Sequence, residues 1–251
     1  MLKQLKGKFS QWVLGRAPRY TITRATLLHK KIRIADGPSF RFMYKEIFKK
    51  EVFRFKASGD SPFIIDAGAN IGMATIYFKQ LYPKAKIIAF EPDPHIFRLL
   101  EENVSLFNNQ NVTLINKALS NQASYLNFHS EGADAGRIVS SNGYTGIIKV
   151  PAVRLGDYIN GPVDFLKMDI EGAEVDVLPD IEDKLPLINK LFIEYHSFVN
   201  EPQRLNELIS LLSRHHRVYI DSPGLSSENP FIHVRTYLDM DMQLNIYAIR
   251  T

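Results

Sequence analysis

The stretch from Phe63 to Gly72 constrains the fold most. An apolar run ends in Asp66, and Gly68, Asn70 and Gly72 follow it ahead of a helical pattern. This combination is typical of the first strand and turn of a nucleotide-type α/β sheet. Because glycine has no Cβ, Gly68 and Gly72 would let the backbone approach a ligand closely. The stretch therefore predicts a ligand site at this turn.

The spacing of this turn differs from the G-x-G-x-x-G of dinucleotide-binding folds, because Asn70 stands where the second glycine would be. Asp66 would repel a phosphate there, but it would attract the amino and sulfonium groups of S-adenosylmethionine. The alternative is a tight turn in which Asp66 caps the next helix. We predict S-adenosylmethionine as the cofactor.

Length and composition indicate a globular α/β protein. A chain of 251 residues can form one well-buried domain with an N-terminal addition, and the absence of cysteine excludes disulfides and Cys-based zinc sites. No run approaches the roughly 18 apolar residues of a membrane span. The apolar cluster Trp12–Leu14 is too short for the core of a signal peptide, so we expect a cytoplasmic protein.

Positive charge is concentrated in residues 1–58, which hold fifteen Lys or Arg against three acids, whereas the remaining chain is acidic. We divide the chain there into a basic N-terminal extension, residues 1–58, and a cofactor-binding domain, residues 59–251. The basic segment predicts an anionic partner, such as a membrane surface touched by residues 1–31. A solvated basic face against the acidic domain is the simpler alternative.

The extension is predicted to contain a helix, a hairpin and a short helix. Apolar residues recur at helical spacing between lysines in residues 2–14, which indicates an amphipathic helix that docks on the core or on an anionic membrane. Alternation over residues 32–43 around Asp36-Gly37-Pro38 indicates a hairpin. Residues 44–50 predict helical turns, and residues 52–55 predict a strand.

From Phe63 onward, strands alternate with helices, which predicts a mostly parallel sheet with helices on both faces. The later strands are expected at residues 86–90, 112–115, 163–168, 191–196, 218–220 and 244–249. Two added strands are expected at residues 123–129 and 147–153. Between them lies an acceptor-side loop at about residues 130–146, rich in Gly, Ser, Asp and Asn.

Polar side chains stand where four of these strands end. They are Asp66, Glu91, the pair Asp169 and Glu171, and the pair Glu194 and His196. Ligands of open α/β sheets bind beyond the carboxyl ends of the strands. Burying acids at these strand ends costs folding free energy, and the fold alone does not require acids there. The clustered acids therefore predict a functional site.

Glu91 follows the second strand, where an acid accepts hydrogen bonds from the ribose hydroxyls of an adenosine. Asn116, at the end of the third strand, would face the adenine edge or serve as a turn residue. The predicted cofactor-binding residues are therefore Asp66, Gly68, Asn70, Gly72, Glu91 and Asn116.

These motifs resemble a known family, the FkbM-type methyltransferases of class I, which use S-adenosylmethionine. The motifs are Asp66–Gly72, Glu91-Pro92, Lys167–Glu174 and Glu194-Tyr195-His196, and the similarity covers roughly residues 40–220. The resemblance implies a Rossmann-like sheet of seven strands, the last antiparallel. It also implies methylation of a hydroxyl, in several members on a sugar or polyketide.

The residues support such a reaction independently. A hydroxyl is a poor nucleophile at neutral pH, and His196 is the expected general base because its usual pKa lies near neutrality. Glu194 would orient it, and Asp169 and Glu171 would share its neighbourhood if the strands are regular. These four are the predicted catalytic residues. Lys167 is expected to pair with one of the acids, and Glu174 to favour a helix N-terminus.

The same cluster could hold Mg²⁺ or Mn²⁺, but oxygen-rich sites of this kind have no diagnostic spacing, so we assign no metal ligands from the sequence. We expect an O-methyltransferase that acts on a carbohydrate or similar polyhydroxylated small molecule. The alternative is a non-catalytic protein on the same fold that binds membrane or nucleic acid through its basic segment. Nucleic acid is the less favoured partner, because Asp169 and Glu171 would repel a phosphate backbone.

Overall fold

The computed structural model describes residues 19–132, 136–139, 146–223, 225 and 227–251. The predicted helix over residues 2–14 lies outside them. The elements in chain order are β1 (Thr23–Leu27), β2 (Lys30–Ile34), α1 (Gly37–Tyr44), a π-helical turn (Lys45–Lys49), β3 (Phe63–Ala67), α2 (Met73–Leu81), β4 (Lys86–Phe90), α3 (Pro94–Ser105), β5 (Val112–Ile115), β6 (Ala118–Leu119), β7 (Tyr125–His129), β8 (Arg137–Ile138), β9 (Ile147–Val153), a 3₁₀ turn (Leu155–Tyr158), β10 (Phe165–Met168), α4 (Glu174–Asp180), a second 3₁₀ turn (Glu182–Leu187), β11 (Lys190–Phe198), α5 (Leu205–Leu212), β12 (His216–Asp221) and β13 (Met240–Arg250).

A seven-stranded sheet forms the centre of the molecule, in the order β12-β13-β11-β10-β3-β4-β5. The strands β11, β10, β3, β4 and β5 are parallel, and β13 runs antiparallel to both β11 and β12. Apolar side chains of α2 and α3 pack in one core, and those of α4 and α5 pack in a second. The predicted mostly parallel sheet with helices on both faces and a final antiparallel strand is confirmed.

The ends of the parallel strands meet at one edge of this sheet. In register, Lys167 lies beside Asp66 on β3 and beside Phe192 on β11. Glu194 lies opposite Asn245 on the antiparallel strand β13. Since neighbouring residues in register share a face, this pairing gathers the polar strand ends into one region.

Asn103 of α3 fixes the loop that follows β3. The side chain is fully buried, and its Nδ2 donates to the carbonyl oxygens of Arg33 (2.8 Å) and Ile71 (2.9 Å). Its Oδ1 accepts from the Arg33 backbone N–H at 2.8 Å. These three hydrogen bonds of the Asn103 side chain hold β2, α3 and the loop after β3 together.

The hairpin of the extension lies elsewhere than predicted. Its strands are β1 and β2, joined at Leu28–His29, and residues 36–43 are not part of it. Asp36 instead caps α1, because its carboxylate accepts from the Ser39 backbone N–H at 2.9 Å. Pro38 lies in the first helical turn, where its missing N–H has no cost. The same residues thus suit a helix start as well as a turn.

The predicted strand at residues 52–55 is also wrong. The Val52 N–H donates to the Glu46 carbonyl and the Arg54 N–H to the Glu51 carbonyl, so a turn forms here. Phe53 nevertheless packs in the same core as Phe40 of α1. Its ring meets Phe192 of β11 edge-on, with centroids 4.7 Å apart. The extension thus covers one face of the central sheet.

The segment between β5 and β10 forms a second, four-stranded sheet in the order β6-β9-β7-β8. The two strands predicted at residues 123–129 and 147–153 are confirmed as β7 and β9. Strand β8 belongs to the predicted acceptor-side loop, of which residues 133–135 and 140–145 lie outside the described chain. Within the described ranges, no helix combines the length and apolar character that crossing a bilayer requires.

Gly72→Ala tests how the loop after β3 is packed. Gly72 has a φ of +91°, and a Cβ there would lie 2.9 Å from Leu100 Cδ1 and 3.0 Å from Val104 Cγ2. We expect the variant to lose about 1–3 kcal/mol of unfolding free energy in urea denaturation. Gly59→Ala is the matched control, because nothing lies within 4 Å of its Cβ position. Equal effects of the two substitutions would contradict this account.

Candidate functional site

A cavity opens at the carboxyl ends of the parallel strands. It encloses about 1350 Å³ of space between the atoms, including solvent at its mouth. Ligand sites of open α/β sheets lie at this edge. Its described lining consists of Phe42, Met43, Glu46, Ile47, Val52, Phe53, Gly68, Ala69, Asn70, Met73, Ala74, Phe90, Glu91, Pro92, Asp93, Ile96, Lys117, Ala118, Leu119, Phe128, Gly132, Gly136, Ile138, Lys167, Asp169, Ile170, Glu171, Phe192, Glu194, Pro223, Gln243 and Asn245.

The two glycines of the opening motif have different roles. Gly68 lines the cavity, and a Cβ on it would lie 1.8 Å from the Asp169 carbonyl oxygen. Gly72 does not line the cavity, and its Cβ would meet Leu100 and Val104 of α3. We predicted that the backbone at these two glycines would approach a ligand closely. At both glycines the atoms nearest to the Cβ position are protein atoms instead. Gly72 serves the packing of the loop on α3.

Glu91 is held at the cavity wall by two backbone N–H groups. Its Oε2 accepts from Asn70 at 3.0 Å, and its Oε1 accepts from Asp93 at 2.9 Å. Burial, opposed by these hydrogen bonds and assisted by the negative charge of Asp93, raises the pKa of Glu91 to about 8. A carboxylate has about four lone-pair sites, so Glu91 can still accept from two hydroxyls. These free acceptor sites fit the two ribose hydroxyls of an adenosyl cofactor.

The cavity is also lined by apolar side chains. Among them are Ile96, Leu119, Phe128 and Ile138. Asn116 is not among the lining residues, because its Nδ2 donates to the carbonyl oxygens of Glu91 (2.8 Å) and Pro92 (3.0 Å). The structure therefore places Asn116 as the predicted turn residue, in the loop after β5, where it binds the backbone of the loop that carries Glu91. The apolar lining suits the flat face of a purine.

Asp66 lies behind the cavity, which differs from its predicted place in the cofactor wall. It is fully buried, and its Oδ2 accepts from Thr75 Oγ1 at 2.6 Å. Its Oδ1 lies 3.6 Å from Lys167 Nζ, which is also 3.2 Å from Asp169 Oδ2. The Lys167 ammonium donates to the Gly68 carbonyl as well. Asp66 therefore affects the cavity through Lys167, which lines it. The predicted pairing of Lys167 with acids at the strand ends is present.

These charges shift each other's ionisation. Burial raises the pKa of Asp66, although Lys167 and Thr75 oppose that shift. Burial would lower the pKa of Lys167, but Asp169 and Asp66 raise it above its usual range. The ammonium is consequently charged at neutral pH and draws the ends of β3 and β10 together.

The four predicted catalytic residues lie close together, as the strand register predicted. His196 Nε2 is 3.6 Å from Glu171 Oε2 and 3.7 Å from Glu194 Oε1. Asp169, Glu171 and Glu194 line the cavity, whereas the buried His196 lies behind them. Asp169, Glu171 and His196 each offer a metal-ligating atom, all within 4.8 Å of one another.

The partner that orients His196 is Glu174, and not Glu194 as predicted. Glu174 is fully buried, and its Oε1 lies 3.3 Å from His196 Nδ1. Its two oxygens also accept from the backbone N–H groups of Ile170 (3.0 Å) and Gly172 (2.9 Å). The prediction that Glu174 only favours a helix N-terminus is therefore wrong. Only the fold places this helix beside β11.

A general-base role for His196 does not fit its surroundings. Burial would lower the pKa of His196, but the charge of Glu171, the hydrogen bond with Glu174 and the nearby carboxylate of Glu194 raise it well above its usual range. This shift favours the protonated imidazole, which cannot accept a proton. Burial also raises the pKa of Glu171 and of Glu194, so each of these cavity-lining side chains, when ionised, is a stronger base than an exposed carboxylate.

Glu171 holds a strained backbone conformation. Its φ of +55° lies in the left-handed region, and Gly172 follows with a φ of +100°. Such conformations cost free energy in residues other than glycine and persist where their surroundings enforce them. Here the carboxylate of Glu174 binds the Gly172 N–H, and the turn directs Glu171 toward His196.

The sequence analysis missed several cavity residues. Glu46 of the π-helical turn lines the cavity, and so do Gln243 and Asn245 of β13. The Gln243 side chain donates to Glu194. Alternating polar residues in the last strand were a usable signal, because strand β13 borders the acidic strand ends. The stretch Glu46-Ile47-Phe48 also resembles the FkbM-type family, but the place of Glu46 in the cavity depends on how the extension folds over the sheet.

Comparisons with known proteins match this chain to methyltransferases. A family described as Methyltransferase FkbM domain matches residues 66–236. Methyltransferase sdnD of Sordaria araneosa is 31% identical over 191 residues, covering 61% of this chain and 74% of that protein. The 2-O-methyltransferase NoeI of Sinorhizobium fredii is 27% identical over 157 residues, covering 53% of this chain and 63% of that protein.

A solved structure shares the fold at low sequence identity. The methyltransferase FkbM from Methylobacillus flagellatus superposes with a TM-score of 0.52 and 16% identity, over 98% of this chain. This chain spans 60% of that one. At this identity the likeness concerns the fold alone.

Glu174→Gln tests the carboxylate that holds His196. We expect the pKa of His196 to fall toward its ordinary value, because the substitution removes a negative charge 3.3 Å from Nδ1. The imidazole should then lose its proton at lower pH than in the parent chain, as followed by NMR of the histidine rings. Glu207→Gln, at an exposed carboxylate, is the control. An unchanged His196 titration in Glu174→Gln would contradict the assignment.

Proposed function

Because this chain belongs to the FkbM methyltransferase family, we propose that it transfers the methyl group of S-adenosylmethionine to a hydroxyl of a carbohydrate or similar polyhydroxylated small molecule. The observation that carries the proposal is that two sets of residues line one cavity. The first part of the lining contains Glu91 and apolar side chains, and the second contains Asp169, Glu171 and Glu194. The first suits an adenosyl group, and the second suits hydroxyl groups.

The residues of the first part support binding of the cofactor. Glu91 would accept from the ribose hydroxyls, and the Gly68–Asn70 backbone would border the ligand. Lys167 keeps this backbone in place through the Gly68 carbonyl. When bound, S-adenosylmethionine supplies an electrophilic methyl group, whose bond to sulfur breaks as the bond to the acceptor oxygen forms.

The residues of the second part would orient the acceptor and take its proton. A hydroxyl that donates to Glu171 or Glu194 is held with its oxygen facing the cavity. These carboxylates, when ionised, are the expected proton acceptors, because their pKa is raised and the surroundings of His196 favour its protonated form. Holding the oxygen close to the methyl carbon supplies much of the rate of such a displacement.

The charge of the cavity supports a neutral acceptor. Among the described lining residues, six carry carboxyl groups, namely Glu46, Glu91, Asp93, Asp169, Glu171 and Glu194, against the two lysines Lys117 and Lys167. Such a surface repels a phosphate backbone, whereas carboxylates bind sugar hydroxyls well. The relative NoeI carries O-methyl transfer in its name, which supports a hydroxyl as the group that is methylated.

Two measurements on the purified full-length chain test the proposal. Isothermal titration should show S-adenosylhomocysteine binding at one site per chain, and no binding would refute the assignment. Labelled S-adenosylmethionine should then give alkali-stable methyl ethers with neutral methyl glycosides. Amino sugars serve as the comparison, because exclusive N-methylation of them would refute O-methyl transfer and leave cofactor binding intact.

The pH dependence of S-adenosylhomocysteine binding tests Glu91. Its pKa of about 8 means that the free carboxyl is mostly protonated at pH 6, whereas ribose hydroxyls bind best to the ionised form. We therefore expect affinity to rise by up to about tenfold per pH unit between pH 6 and 8 and to level off above. Glu91→Gln should bind more weakly and lose this rise. Glu102→Gln, an exposed acid paired with Arg33, should keep it.

A further inference from the structure

The spacing around His196 is that of ligands around a shared ion. The distances of 3.6 and 3.7 Å from Nε2 to Glu171 and Glu194 are too long for hydrogen bonds. Two ligand atoms about 2.1 Å from one metal ion stand about 3.0–3.5 Å apart at octahedral or tetrahedral angles. Small side-chain movements would therefore bring Glu171 and His196 into one coordination sphere.

Glu174 provides the outer support that metal-binding histidines have. It fixes His196 through Nδ1, so Nε2 points toward the carboxylates that line the cavity. Metal-ligating histidines usually donate their other ring N–H to a carboxylate or carbonyl in this way. Glu174 is itself held by two backbone N–H groups. The imidazole is thus oriented before any ligand arrives.

The cluster carries surplus negative charge. Asp169, Glu171, Glu174 and Glu194 stand within or beside it, together with the buried Asp66. The cations among these side chains are Lys167 and, when protonated, His196. Asp169 uses one oxygen toward Lys167 and has a second for another partner. A divalent cation would offset the excess.

An unpartnered amide oxygen points to a ligand independently of the acids. Asn245 is 4% exposed and lines the cavity opposite Glu194, and its Oδ1 has no hydrogen-bond partner among the described residues. Buried polar atoms are nearly always satisfied, so this oxygen indicates a missing donor or cation. Amide and carboxylate oxygens with one imidazole suit a hard cation, and the imidazole favours Mn²⁺ over Ca²⁺.

We propose that Asp169, Glu171 and His196 bind a divalent cation of the Mg²⁺ and Mn²⁺ class at the floor of the cavity, with Glu174 as the positioning residue. A cation there would bind the acceptor hydroxyl and ease loss of its proton. This catalytic use rests on the proposed function, whereas binding of the cation does not. Where the ion is bound, it would take the place of the proton on Nε2.

Mn²⁺ is the probe for the test. The full-length chain is treated with chelator, dialysed and titrated with Mn²⁺, and free Mn²⁺ is followed by electron paramagnetic resonance. We expect one ion per chain, at least tenfold weaker binding in Asp169→Asn and Glu171→Gln, and about 10–100-fold weaker binding in Glu174→Gln. Glu102→Gln, an exposed acid of equal charge, should bind as the parent chain does.

Thermal denaturation of the same samples separates binding from folding. Mn²⁺ should raise the melting temperature of the parent chain and of Glu102→Gln, and leave that of folded Asp169→Asn unchanged. Asp169→Asn is the mildest of these changes, because its side chain is partly exposed. The proposal is overturned if the parent chain binds no Mn²⁺ or if both cluster variants bind it equally well. If the parent chain binds S-adenosylhomocysteine but no Mn²⁺, the cation site alone is overturned and the proposed function stands.

Discussion

The buried ammonium of Lys167 holds together the edge of the sheet on which the site is built. It lies between Asp66 and Asp169 and donates to the carbonyl of Gly68, so three strand ends or loops converge on one charge. A buried ion pair adds little stability over apolar packing, but breaking one leaves an uncompensated charge. The ion pairs of Lys167 therefore fix the position of the loop after β3 more than they stabilise the fold. Its counterpart on β11 is His196, which is surrounded by acids in the same way.

The side chains of Lys167 and His196 thus lie among a larger number of acids. Several of these acids line the cavity. Glu174 and Asp66 are fully enclosed and orient the cations, whereas Asp169, Glu171 and Glu194 present oxygen atoms to a ligand. The division matters chemically. The enclosed acids keep His196 and Lys167 in place, and the outward acids remain able to bind hydroxyl groups, protons or a metal ion.

The N-terminal extension takes part in the same site. Its helix α1 and the π-helical turn contribute Phe42, Met43, Glu46 and Ile47 to the cavity wall, while Phe40 and Phe53 pack into the core of the sheet. Basic composition predicted an anionic partner, which stays a prediction, and residues 19–58 pack over the edge of the sheet at which the cavity opens. The apolar residues among the charges decide this position, because burying them on the sheet removes apolar surface from water.

From Phe63 onward, the sequence by itself determined the order of the strands and helices of the central sheet, because hydrophobic periodicity and helix caps are local. It also gave the cluster at the strand ends, since side chains two apart on a strand share a face and parallel strands end at one edge. What each residue does there was decided by tertiary structure. Asp66 is behind the cavity, Gly72 packs on α3, and His196 is bound by Glu174 from a neighbouring helix. Likewise Asp36-Gly37-Pro38 suits a turn or a helix start equally, and only packing against the core selects the helix. These contacts join residues far apart in the chain, so no local pattern could specify them.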